Sequence, residues 1–108
     1  MIDVTIIHDS SMEEVLAFKC CNLPDQNLEI HIRNTGNRPV VVPGYFALEN
    51  ENETIRFNHL YPPWERSVSP GEVVAFYCQM DNRVWNQYRT LVIFDNDGNA
   101  YRFPIQKM

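Results

Sequence analysis

Arg89-Thr90-Leu91-Val92-Ile93-Phe94, Asp95-Asn96-Asp97-Gly98-Asn99 and Ala100-Tyr101-Arg102-Phe103-Pro104-Ile105 follow one another at the end of the chain. Two apolar segments flank a polar turn that contains Asp-Gly, and this is the pattern of a β-hairpin. Working back from it, Val73-Val74-Ala75-Phe76-Tyr77-Cys78 reads as a strand with Val74, Phe76 and Cys78 inward, entered through the turn Ser69-Pro70-Gly71-Glu72. In Leu28-Glu29-Ile30-His31-Ile32-Arg33-Asn34, apolar and polar residues alternate, so Leu28, Ile30 and Ile32 share one face of a half-buried antiparallel strand. Asn34 to Pro39 is a turn cluster.

The remaining segments fit the same plan. Val4 to Ile7 begins a first strand, Val40-Val41-Val42 starts another, and Pro43-Gly44 bends the chain before Tyr45 to Leu48, so a bulge or a strand switch is expected there. Glu49 to Glu53 is a polar connection to Thr54-Ile55-Arg56-Phe57, which alternates again. Asn58 to Pro70, with Pro62, Pro63 and Pro70, reads as an irregular loop. Asp81 to Gln87 crosses to the final hairpin, and Tyr88 at its entrance is placed to bond backbone with its hydroxyl, as a tyrosine corner does.

Residues 11–20 support two readings. Ser10 and Ser11 stand three residues before Glu13 and Glu14, and Met12, Val15, Leu16 and Lys19 follow helical spacing, which together spell a capping box and a short helix. Val15 to Cys21 equally reads as an extended apolar run, the choice a sandwich favours.

With about seven to eight short strands and turns every eight to twelve residues or so, the sequence predicts an all-β fold of two packed antiparallel sheets. In arrangement the chain resembles the bacterial immunoglobulin-like and fibronectin type III-like domains. Leu28 to Asn34 with Thr35-Gly36 is similar to their second strand and turn, and Ser69-Pro70-Gly71-Glu72 to the entry of a middle strand. The resemblance spans most of residues 28–105. It implies an immunoglobulin-like sandwich over residues 1–108 as a single domain, and adhesion, spacer or docking duty. No convincing cysteine pair stands where antibody domains carry their inter-sheet disulfide.

Composition narrows the function. The 108 residues are 44% apolar and 21% charged, enough for a modest core without disulfide or metal staples. Nine Lys and Arg against fourteen Asp and Glu give a net charge of −5, and the basic residues are scattered, so nucleic acid is not an expected partner. No basic leader precedes an apolar core at Met1 to Asp9, and no apolar run is long enough to span a bilayer, so a cytoplasmic, membrane-free protein is expected, or an exported one if the chain is an excised domain. Asn52-Glu53-Thr54 fits a glycosylation acceptor, which matters only in a eukaryotic secreted chain.

The sequence contains no nucleophile and base in a known local pattern, and its four glycines do not cluster into a phosphate loop, so no enzyme and no cofactor are expected. Asp95, Asp97 and Asn99 alternate like the start of a calcium loop, but the glycine is misplaced and no acid closes the loop, which leaves turn chemistry. Cys20, Cys21 and Cys78, with His8, His31 and His59, lack metal-ligand spacing. A thiol-based metal or redox site on Cys20 and Cys21 stands as the alternative function, with Cys78 expected to fill core.

The favoured function is that of a non-catalytic interaction or structural domain, docking to a protein or to itself through an aromatic loop or an exposed sheet edge. Its candidate surface is His59-Leu60-Tyr61-Pro62-Pro63-Trp64-Glu65-Arg66, where Tyr61, Trp64 and Arg66 are residue types that bury much area at low entropic cost. Trp85, in the loop before the last hairpin, is expected to join them. The competing reading folds Tyr61 and Trp64 back to cap the core.

Overall fold

The computed structural model describes residues 1–8 and 28–105 of the chain. Among them run nine strands and one short helix: β1 Ile2–His8, β2 Leu28–Asn34, β3 Val40–Val42, β4 Phe46–Glu49, β5 Thr54–Phe57, β6 Arg66–Val68, β7 Val73–Cys78, α1 Asn82–Trp85, β8 Thr90–Phe94 and β9 Ala100–Pro104. The fold is all-β. The reading of residues 11–20 as helix or strand lies outside the described residues.

All strand pairs are antiparallel and form sheets of order β1-β2-β7, β3-β6 and β5-β4-β8-β9. The terminal hairpin forms as expected: Leu91 faces Phe103 and Phe94 faces Ala100 in register. Gly98 at φ 88 takes the left-handed turn conformation that a side chain would resist. In β2 the alternation also holds, with Leu28, Ile30 and Ile32 each at most 1% exposed. Val74, Phe76 and Cys78 of β7 are buried too. These residues meet Phe46, Leu48, Leu91 and Ile93 of the four-stranded sheet in one apolar cluster that also takes in Val42 and Val68. Burial at about 25 cal/mol per Å² of apolar surface makes this cluster the main source of stability.

Pro43-Gly44 is a strand switch. Before it, β3 pairs only with β6, and after it β4 pairs with β5 and β8. Proline cannot donate to a ladder, and at Gly44 the chain passes so close to the loop opposite that a Cβ would stand 3.1 Å from the carbonyl carbon and oxygen of Pro63.

Three expectations are corrected. Arg66 to Val68, read as part of an irregular loop, forms β6, because β3 offers it a ladder that three residues cannot announce by periodicity. Asp81 to Gln87 holds α1, started by the Asp81 carboxylate, which accepts from the N–H groups of Arg83 (2.7 Å) and Val84 (3.3 Å). The helix turns Trp85 inward, 5% exposed, so Trp85 is not part of an exposed loop surface. Tyr88 is buried as a corner residue would be, but its hydroxyl donates to Glu53 Oε1 at 2.8 Å and not to backbone.

Candidate functional site

The segment 58–65 alternates in depth. Leu60 is 5% exposed and Pro62 is buried, whereas Tyr61 is 46% and Trp64 60% exposed. Leu60 and Pro62 therefore anchor the loop, and Tyr61 and Trp64, expected on one reading to cap the core, point outward. The backbone beneath them is held: Tyr61 N–H donates to the Tyr77 carbonyl and Tyr77 N–H to the Tyr61 carbonyl, both at 2.8 Å. At the other end of the loop Asn96 Nδ2 donates to Glu65 Oε2 at 2.9 Å.

Of the four residues predicted as partner-binding, Tyr61 and Trp64 are exposed, Arg66 is half-buried and Trp85 is buried. Tyr61 extends the edge of the three-stranded sheet through its bridge to Tyr77. Trp64 follows Pro63 beside Gly44, at the entrance to β4. Arg66 is half-buried in β6, opposite Val42. Trp85 is in the core, its ring stacked on His8 at 4.9 Å. Trp64 and Tyr61 remain as the exposed aromatics of this region.

Sequence reasoning missed a cluster that begins beside Gly44. Tyr45, next to Gly44, packs its ring 5.4 Å from that of Phe94, and the Arg56 guanidinium carbon lies 3.6 Å over the Tyr45 ring. All three are on the outer face of the four-stranded sheet. Register sets Arg56 beside Ala47, Ala47 beside Val92 and Val92 beside Arg102. Ala47 and Val92 are each 1% exposed although they face away from the core. Arg102 Nε donates to Glu49 Oε1 at 3.2 Å, and Thr54 Oγ1 donates to Glu49 Oε2 at 3.2 Å. Alternation within β4, β5 and β8 could have suggested the outward set, but only strand pairing brings it together.

Asp95 is occupied by its own turn. Its Oδ1 accepts from Asp97 N–H and Asn99 N–H, and its Oδ2 from Asn99 Nδ2 and the Tyr101 hydroxyl, at 2.9 to 3.0 Å. Burial alone would raise its carboxyl, but these hydrogen bonds prevail and hold it below the usual carboxylate value. A group with a depressed folded pKa contributes stability above its unfolded pKa and loses it as pH falls through the folded value. We expect the urea midpoint of the wild type to fall on acidification below about pH 4, and Asp95→Asn to show a shallower fall over the same range. Equal slopes in the two proteins would remove Asp95 from the acid response. An open groove of about 570 Å³ adjoins this turn, between Thr35–Val40 and Asp95–Tyr101. The Asp95 carboxylate on its wall is committed to the turn.

Cys78 is 4% exposed, burial pushes its thiol up to about 11, and its S–H donates to the Gln79 carbonyl at 3.2 Å. It is protonated at neutral pH and fills core, as expected. Cys20 and Cys21 lie outside the described residues. Among the described residues no three His, Cys, Asp or Glu side chains gather as a metal-holding group, and no helix is long and apolar enough to cross a membrane.

The fold and this surface define an all-β protein with exposed aromatic and arginine side chains at the rim of one sheet. No protein-family model, no curated protein and no solved structure matches the chain.

Proposed function

We propose that this chain is a non-catalytic docking module, an immunoglobulin-like sandwich that engages a protein partner through the surface around Trp64. The sandwich reading draws support from strand order. The series β1-β2-β7 is similar to strands A, B and E of such domains, and β5-β4-β8-β9 to C′, C, F and G. The docking reading rests above all on one observation, the exposure of Trp64 from a loop whose backbone is tied to Tyr77 at Tyr61 and paired with Val42 at Arg66. A tryptophan on a held backbone has already met the backbone part of its ordering cost, and it is the residue type that dominates interface energetics.

The test compares tagged wild type, Trp64→Ala and Val73→Ser in extracts of the source cells, with circular dichroism to establish that all three are folded. Val73 is 53% exposed and stands on the other sheet, so it serves as an apolar control. We expect a stoichiometric partner, or a second copy of the chain, to be held by wild type and Val73→Ser and to bind Trp64→Ala about thirtyfold more weakly or worse, as truncation of an interface anchor costs about 2 kcal/mol or more. Full retention by Trp64→Ala would overturn the proposal.

A further inference from the structure

The Arg56 guanidinium carbon lies over Tyr45, 3.6 Å from the ring centroid. Stacking of this kind uses the π face of the guanidinium and leaves its in-plane N–H donors, a fork that matches a carboxylate, directed away from the ring. Among the described residues these donors have no hydrogen bond and no ion pair. The acid on the same face is already taken, since Glu49 accepts from Arg102 and from Thr54. Tyr45 follows Gly44, where an added Cβ would stand 3.4 Å from the Trp64 backbone nitrogen, and Phe94 packs on Tyr45. The site thus offers one oriented, unpaired cation in an aromatic setting, on a chain whose net charge is −5.

We infer that Arg56, held on Tyr45, binds a carboxylate of the partner, and that the partner segment is an acidic peptide carrying an aromatic or aliphatic residue beside its Asp or Glu. The inference rests on the docking reading and supplies its partner chemistry. The acid meets the guanidinium fork while its apolar neighbour covers the Tyr45, Phe94 and Trp64 surface. A bidentate pair of this kind specifies direction as well as charge. Lysine would supply the charge without the fork.

The test is selection of random dodecamer peptides on the full chain, then fluorescence polarisation of an enriched peptide, its Glu→Gln or Asp→Asn form and its phosphoserine form. We expect enriched peptides to pair an acid with an apolar neighbour, and neutralising the acid to weaken binding about tenfold. Arg56→Lys should weaken it by a similar factor, and Arg102→Lys, on the same face but paired with Glu49, should stay within about twofold of wild type. Binding that needs Trp64 but ignores Arg56→Lys and the acid would overturn the carboxylate site and leave docking standing. Binding of the phosphoserine form alone would reassign the fork to phosphate and overturn the inference. No enrichment, or binding indifferent to Trp64→Ala and Arg56→Lys alike, would overturn both readings.

Discussion

Trp85→Ala should lower the free energy of unfolding by about 3 to 5 kcal/mol, whereas Trp64→Ala should change it by about 0.5 kcal/mol or less. The two tryptophans of this chain are chemically identical and differ in what covers them. Trp85 is 5% exposed, and its backbone is tied at both ends of α1: its N–H donates to the Asp81 carbonyl at 2.9 Å and its carbonyl accepts from Tyr88 N–H at 3.3 Å. Truncating it removes a ring from the apolar cluster and the stacking partner of His8. Trp64 is 60% exposed and its loss uncovers little. Urea unfolding with m values unchanged reads the difference as a shift in midpoint. Equal shifts for the two variants would mean that Trp64 is a core residue, and the docking surface would lose its anchor.

The contrast between these tryptophans also marks what the sequence makes legible. β2, β7 and the hairpin β8-β9 are readable because each lies between clear turn signals; burial alternates along β2, β7 and β9, whereas Leu91, Val92 and Ile93 of β8 are all buried. Arg66-Ser67-Val68 and Asn82-Arg83-Val84-Trp85 are too short for either period to register. For α1 the one local signal is Asp81, a residue type that caps helices, with no helical stripe behind it. Trp85 was misplaced for that reason, since its direction depends on a helix the pattern does not declare.

The candidate surface divides in the same way. That loop 59–66 holds binding-type residues is plain from composition. That Leu60 and Pro62 are the ones to go inward depends on the bridge to Tyr77 and on contact with Gly44, which are tertiary facts. Tyr45 stands just before β4, Arg56 in β5 and Phe94 at the end of β8. Their meeting follows from the pairing of β4 with both β5 and β8, and no local pattern states that order.

The second large effect is expected at Asn34, a turn residue whose side chain is buried at 1% exposure. Its Nδ2 donates to the carbonyls of Arg38 (2.6 Å) and Val68 (2.9 Å), and its Oδ1 accepts from Gly36 N–H at 2.9 Å. Two carbonyls on one side fix which end of the amide is nitrogen. One side chain thus shapes the β2-β3 turn and ties it to β6. Asn34→Ala strands these partners and should cost about 3 kcal/mol, at roughly 1 to 3 for each buried group left unpaired. Asn34→Asp tests the assignment more sharply, because it keeps the shape and the bond to Gly36 while turning a carboxylate oxygen towards two carbonyls. At pH 7 it should cost at least as much as Asn34→Ala. The introduced carboxyl is disfavoured as an anion in the fold, so its folded pKa is raised, and its penalty is complete above that value and fades as pH falls towards the unfolded value of about 3.9. Stability measured against wild type at matched pH should therefore show the Asn34→Asp deficit shrinking on acidification while that of Asn34→Ala stays constant. A pH-independent Asn34→Asp deficit would mean that the Nδ2 bonds to Arg38 and Val68 are not what this residue contributes.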